Sequence, residues 1–143
     1  MNRFEYAVSL KSDGDGLVVT CRDLPALITQ GDNEADALRE AADAMDEVFA
    51  VFMKQGLAFP TPSKAKRGEH MVAPPAETIA KAALHTAMDE AGISKIQLAR
   101  QLGVDEKEVR RLLDPHYGSK LPRIAEAISL LGKKLVIGLE PAR

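Results

Sequence analysis

The segment from Ile96 to Leu113 constrains the fold of this 143-residue chain more than any other part of it. Two short helices that cross at a fixed angle need a small residue at the crossing, a left-handed turn four residues later, and an aliphatic side chain six residues further on. Ala99, Gly103 and Val109 occupy these three positions. The flanking positions are also apolar, namely Leu98, Leu102, Val104 and Leu112. The spacing therefore predicts a helix-turn-helix unit.

The rest of the C-terminal half is predicted to surround this unit with helices. Ser94 and Asp105 are residues that cap helices by accepting backbone N–H bonds. An Ala-rich segment before them ends at Gly92, a residue suited to the left-handed end of a helix. The predicted elements are helices over 77–91, 95–102, 106–113 and from Pro122 to Gly132, and a final strand over 135–139.

The N-terminal half has the pattern of an antiparallel sheet and one long helix. Apolar and polar residues alternate at the start, and an Asp-Gly-Asp-Gly run over 13–16 favours a hairpin turn. Cys21, the one cysteine, is interpreted as a small buried hydrophobe. Paired prolines at 74–75 mark the domain boundary. The predicted elements are strands over 4–10, 17–21, 26–30 and 69–73, and a helix from Asp32 or Asn33 to Gln55.

The two halves of the chain also differ in charge. Residues 1–62 hold 5 Lys/Arg and 11 Asp/Glu, a net charge of −6, whereas residues 63–143 hold 14 and 10, a net charge of +4. Opposite signs indicate different partners, and the basic half suits a polyanion. The N-terminus has no signal-peptide pattern and no window is apolar enough to span a membrane, so a cytoplasmic location is expected.

The segment from Ile96 to Leu113 resembles the phage-repressor-like branch of helix-turn-helix proteins. That resemblance implies that Gln97 meets a backbone phosphate and that the second helix reads base edges. A solvated helix face without a DNA role is the alternative, with Arg110 and Arg111 paired to Glu106 and Glu108. The implied base-reading residues are Glu106, Lys107, Arg110 and Arg111, and the implied phosphate contacts of the following loop are Ser119 and Lys120.

The order of motifs along nearly the whole chain resembles the HicB antitoxins. The motifs are the Asp-Gly-Asp-Gly hairpin, Asp23-Leu24-Pro25, Thr29-Gln30-Gly31-Asp32 before a long acidic helix, the Pro-rich connection, the stretch over 98–103, the run over 110–115 and the closing residues 131–135. The resemblance implies an α+β chain without enzymatic activity or cofactor. Residues 1–74 would form a partial RNase H-like domain that binds a toxin, and residues 75–143 a domain for DNA binding and dimerisation.

The same resemblance implies the partners. They are a HicA-type toxin that cleaves mRNA, the operator DNA of the chain's own operon, and further copies in a homodimer or homotetramer, with the final strand pairing across a dimer. An acidic surface would complement a basic toxin. The candidate toxin-binding residues are the exposed acids of the hairpin tip and long helix: Asp13, Asp15, Glu40, Asp43 and Glu47.

Two other functions remain open from the residues themselves. An RNase H-like nuclease would hold a divalent metal through Asp13, Asp15 or Asp23, although these residues are interpreted as ordinary turn residues. A ligand-responsive repressor would bind a small molecule in its N-terminal domain. A small basic protein encoded beside this gene would favour the antitoxin over both.

Overall fold

The computed structural model describes residues 1–142, so the last residue of the predicted C-terminal domain, Arg143, lies outside it. Four strands and five helices follow one another in this part of the chain. They are β1 (Tyr6–Asp13), β2 (Gly16–Cys21), β3 (Ile28–Gly31), α1 (Glu34–Gln55), β4 (His70–Val72), α2 (Ala76–Ala91), α3 (Lys95–Leu102), α4 (Glu106–Leu113) and α5 (Leu121–Leu130).

The strands form one antiparallel sheet in the order β3-β2-β1-β4. The hairpin turn lies between Asp13 and Gly16, as the Asp-Gly pattern predicted. Alternate residues of β1 and β2 face α1, so Tyr6, Val19 and Phe49 are fully buried between the sheet and the helix. The predicted edge strand is confirmed as β4, and Cys21 is buried as expected.

Gly31 sets the close approach between the end of β3 and the start of α1. A Cβ atom on this buried residue would lie 2.5 Å from the Cα of Ala37 and closer still to its backbone nitrogen. Asn33 caps α1, because its side chain accepts a 2.9 Å hydrogen bond from the Asp36 N–H. The helix therefore begins where the Asp/Asn pattern predicted, and its first turn packs tightly on the sheet.

The Pro-rich connection is tied to the sheet by side-chain hydrogen bonds. The Tyr6 hydroxyl donates to the Pro60 carbonyl at 2.7 Å. The Asp23 carboxylate accepts from the Ser63 N–H at 2.8 Å and from its hydroxyl at 2.7 Å. Arg22 pairs with Glu69 at 2.9 Å. These bonds hold the segment along the sheet between the end of α1 and β4.

A second core lies among the four C-terminal helices. Leu84, Leu98, Val109 and Leu112 are fully buried in it. Helix α2 contributes to both cores, because Ala82 packs with the sheet and α1 whereas its neighbours pack with the other helices. The Thr78 hydroxyl also donates to Asp46 of α1. Helix α2 therefore connects the two halves of the chain.

The prediction of a final strand over 135–139 is wrong for this chain. Residues 133–142 have no regular secondary structure, and the side chains of Val136, Ile137 and Leu139 are exposed. An apolar run forms a strand only where a neighbouring strand supplies hydrogen bonds. The sheet ends at β3 and β4, and the tail lies beside neither in a paired register.

Candidate functional site

The first helix of the predicted helix-turn-helix, α3, begins at a capping box. The Gln97 N–H donates to the Ser94 hydroxyl at 3.2 Å, and the Ser94 N–H donates to the Gln97 side-chain carbonyl at 2.7 Å. This reciprocal pairing satisfies two backbone donors that the helix itself leaves free. The Gln97 amide nitrogen keeps both of its hydrogens available as donors, at the exposed start of α3.

The turn residues lie where the two helices meet. Ala99 is buried at 6% exposure and Val109 is fully buried. Gly103 has φ of 69°, a backbone conformation that L side chains rarely adopt, and ends α3 with its N–H directed at the carbonyls of that helix. Asp105 then caps α4 by accepting from the Glu108 N–H at 2.9 Å.

The basic residues of α4 are paired with acids of the same helix. Arg110 lies 3.1 Å from Glu106, and Arg111 lies 3.9 Å from Glu108. The Arg111 guanidinium also stands 5.4 Å from the centre of the Tyr117 ring. Exposed pairs of this kind contribute about 0–1 kcal/mol, so their arginines can turn to another anion at small cost.

Lys107 completes the exposed surface of α4, together with the loop that follows the helix. Lys107 and Lys120 are exposed, whereas Ser119 is half-buried. Gln97, Lys107, Arg110 and Lys120 are thus exposed on the segment that runs from the start of α3 to the loop after α4. Groups of this kind can donate hydrogen bonds to phosphates or to base edges.

Sequence reasoning assigned no role at this site to two residues of α2 that contact the end of α4. Lys81 Nζ donates to the Arg111 carbonyl at 2.9 Å and to the Ser119 hydroxyl oxygen at 2.8 Å. His85 Nε2 donates to the Leu113 carbonyl at 2.7 Å. The available signal was a Lys-His pair four residues apart within an Ala-rich helix, because that spacing places both side chains on one face.

Burial affects the protonation of both residues. It lowers the pKa of Lys81, although Asp114, Glu108 and Glu77 oppose the shift electrostatically. Burial also lowers the pKa of His85, against its hydrogen bond to the Leu113 carbonyl. Burial thus favours the neutral form of the His85 imidazole, and Nε2 carries a hydrogen because a carbonyl oxygen can only accept.

The acidic candidates lie on the other half of the molecule. Asp13 and Glu40 line one open groove of about 320 Å³ between the hairpin and the first turns of α1, and Asp32 and Asp36 line the same groove. Asp15, Asp43 and Glu47 are exposed outside it. The three candidates of α1 lie three and four residues apart, so they follow one face of that helix: Glu40, Asp43 and Glu47.

The carboxylates considered for a metal do not gather into a cluster. Asp23 is held by Ser63, and Asp13 and Asp15 are exposed at the hairpin. Within residues 1–142 there is no group of three or more His, Cys, Asp or Glu side chains arranged to hold a metal ion. The same residues contain no helix that is both long and apolar enough to cross a membrane.

Known proteins resemble both halves of the chain. The family model described as "HicB_like antitoxin of bacterial toxin-antitoxin system" matches residues 5–83. "Antitoxin HicB" of Pseudomonas fluorescens is 31% identical over 140 residues, which are 97% of this chain and 96% of the relative. "Antitoxin HicB 2" of Photorhabdus laumondii is 35% identical over 91% of this chain and 92% of its own length. "Antitoxin HicB" of Escherichia coli K12 is 30% identical over 91% of this chain and 95% of its own length.

Proposed function

Because the chain belongs to the family of HicB-like antitoxins, we propose that it is the antitoxin of a toxin–antitoxin pair. In this proposal it binds and neutralises a HicA-type toxin that cleaves mRNA, and it represses its own operon by binding operator DNA. The observation that carries the proposal is the similarity to named HicB antitoxins over 91–97% of the chain. That similarity includes both the sheet and the helices that follow it.

Toxin binding is assigned to residues 1–74, interpreted as a partial RNase H-like domain. The groove lined by Asp13, Asp32, Asp36 and Glu40 supports this assignment, because four carboxylates at one concave surface attract a basic protein. The acidic face of α1 continues the same charge along the helix. No catalytic step is assigned to this domain, and no observation favours the nuclease or the small-molecule receptor over the antitoxin.

Operator binding is assigned to residues 75–143, with α3 and α4 as a helix-turn-helix. Gln97, Ser119 and Lys120 would bind phosphates, and Glu106, Lys107, Arg110 and Arg111 would face the bases. The left-handed turn at Gly103 and the exposed amide of Gln97 support the assignment. In the free protein each arginine is paired with a neighbouring glutamate, so binding DNA would exchange these weak pairs for contacts with DNA.

A second copy of the chain is part of the proposal. Helix α4 has eight residues, so it spans about 12 Å and can read only a few base pairs. Two copies on half-sites one helical turn apart would supply affinity and specificity. The exposed apolar side chains of Val136, Ile137 and Leu139 support such an assembly, because a second copy would bury them.

Co-expression with the small basic protein encoded beside this gene tests the toxin half of the proposal. We expect the neighbour alone to arrest growth, and the pair to grow normally and to purify as one complex. A gel-shift titration with a duplex from directly upstream of the gene tests the DNA half. Toxicity that persists in the pair would refute the antitoxin role, and equal binding to a scrambled duplex would refute operator recognition.

A further inference from the structure

Lys81 is buried to an extent that is unusual for a lysine. Only 3% of the residue is exposed, and within residues 1–142 no carboxylate lies within ion-pair distance of its ammonium group. A buried charge costs free energy unless hydrogen bonds satisfy it. Here two neutral oxygen atoms do so, the Arg111 carbonyl and the Ser119 hydroxyl. The ammonium group therefore joins α2 to two different parts of the proposed DNA surface.

The first of these parts is the last turn of α4. The carbonyls at the end of a helix carry partial negative charge and lack partners within the helix. Lys81 binds the Arg111 carbonyl, and His85, one turn later on α2, binds the Leu113 carbonyl. Two contacts on successive turns of α2 fix the direction of α4 relative to α2, and with it the positions of Arg110 and Arg111.

The second part is the loop after α4. A serine hydroxyl has one hydrogen to donate and two lone pairs to accept. Because the Ser119 oxygen accepts from Lys81 Nζ, its own hydrogen is directed away from that nitrogen and is free to donate. The hydroxyl of Ser119 is thus oriented before any ligand binds, and the buried ammonium beside it increases its strength as a donor.

We propose that Lys81 and His85 are positioning residues of the operator-binding surface: they hold α4 at the angle that DNA binding needs, and Lys81 directs the Ser119 hydroxyl toward a backbone phosphate. The inference rests on the proposed function. Neither side chain contacts the DNA directly. Both act from α2, the helix that also contributes to the N-terminal core through Ala82.

A purely structural role makes different predictions from a positioning role. If the two residues only stabilise the fold, their loss would lower the melting temperature and weaken toxin and operator binding together. If they position α4 and Ser119, operator affinity falls while toxin affinity and the melting temperature change little. The backbone supports this separation, because the Arg111 carbonyl also accepts from the Asp114 N–H at 3.2 Å, a hydrogen bond that does not involve Lys81.

The test compares Lys81→Met with the matched control Lys11→Met in the full chain. Both changes remove one positive charge, but Lys11 is exposed on β1, which packs in the N-terminal core, whereas α4 packs in the second core. Binding is measured by fluorescence anisotropy with a duplex from directly upstream of the gene, and toxin binding is measured in parallel. We expect Lys81→Met to weaken operator binding about tenfold, and Lys11→Met to leave it unchanged.

Ser119→Ala completes a double-mutant cycle. We expect it to weaken operator binding in the wild-type background and to have no further effect in the Lys81→Met background, because the hydroxyl is no longer directed there. We expect His85→Ala also to weaken operator binding while toxin affinity changes little. If Lys81→Met does not fold, Ser119→Ala and His85→Ala still test whether operator affinity falls while toxin affinity is retained.

The outcomes distinguish a failure of the proposed operator binding from a failure of the inference about Lys81 and His85. Wild-type protein that binds the duplex no better than scrambled DNA would overturn the proposed operator binding and this inference with it. Wild-type protein that binds specifically, with Lys81→Met binding equally well, would overturn the inference alone. Parallel losses of toxin affinity, operator affinity and melting temperature, or additive effects of Lys81→Met and Ser119→Ala, would also overturn it.

Discussion

Replacing Gly31 with alanine should destabilise the N-terminal half although it adds only one methyl group. The new Cβ would lie 2.5 Å from the Cα of Ala37, whereas real Cβ atoms essentially never come within 3.0 Å of a heavy atom outside their own and the adjacent residues. The obstacle is helix backbone in the core, so α1 or β3 must move by more than half an ångström. Overpacking of this kind costs about 1–3 kcal/mol, which corresponds to a fall in Tm of about 3–10 °C for a chain of this size.

The same movement should reach the proposed toxin surface. Asp32 and Asp36, on either side of the contact, line the acidic groove with Asp13 across from them. Shifting α1 away from the hairpin separates these carboxylates, so Gly31→Ala should weaken toxin binding while operator binding is retained. Thermal denaturation followed by circular dichroism gives the Tm, and isothermal titration with the purified toxin gives the affinity.

Gly118→Ala is the matched control for stability. A Cβ at this position meets no atom within 4 Å, and the glycine does not have a positive φ. The same methyl group should therefore leave Tm unchanged or raise it slightly, because alanine restricts the unfolded chain. If Gly31→Ala matched this control in both Tm and toxin affinity, the close packing of β3 on α1 would not limit stability, and the reasoning would be refuted.

Three further outcomes are expected. Replacing Arg110 and Arg111 with alanine should weaken operator binding about tenfold or more for each side chain, and unchanged gel-shift titrations at two salt concentrations would exclude their role. Arg22 and the Lys66 N–H lower the pKa of Glu69 to about 2, so this carboxylate stabilises the fold above its ordinary pKa of 4.5, and the stabilisation is lost as pH falls toward 2. Glu69→Gln should therefore lower Tm at pH 7, with the difference from wild type closing at pH 2; a constant difference would contradict this. Glu40→Lys should slow association with the toxin severalfold at low salt and less at high salt. The same charge reversal on α5, Glu126→Lys, should leave the association rate unchanged.

Local patterns were sufficient for most of the helices. Ser94, Asp105 and Gly103 specify where α3 and α4 begin and end, because capping depends on residues within one turn of the helix end. The hairpin was predictable for the same reason, since its turn residues are contiguous. Long-range contacts were not predictable in this way. Residues 135–139 have a strand-like pattern, yet they form no strand, because a pattern does not supply a neighbouring strand.

The two candidate surfaces differ in the same way in how far the sequence predicts them. The basic and polar residues of α4 follow from the motif, because they lie on one short helix. The acidic groove could be suggested only as scattered exposed acids, since Asp13 and Glu40 lie 27 positions apart and meet only when β3 and α1 fold against the hairpin. Whether these surfaces bind operator and toxin stays a prediction of the proposed function.

The sequence by itself determined the helices that begin and end at local caps, the charge of each half, and the motifs that relate the chain to HicB antitoxins. Only the tertiary structure decided how α2 is used. From the sequence, a lysine in an Ala-rich helix is predicted to be solvent-exposed, because most lysines are. Lys81 is buried against the Arg111 carbonyl and the Ser119 hydroxyl, which lie 30 and 38 residues away along the chain. Its burial therefore depends on how α4 and the following loop pack on α2. Side-chain partners at such separations are set by the assembled core, and no local pattern encodes them.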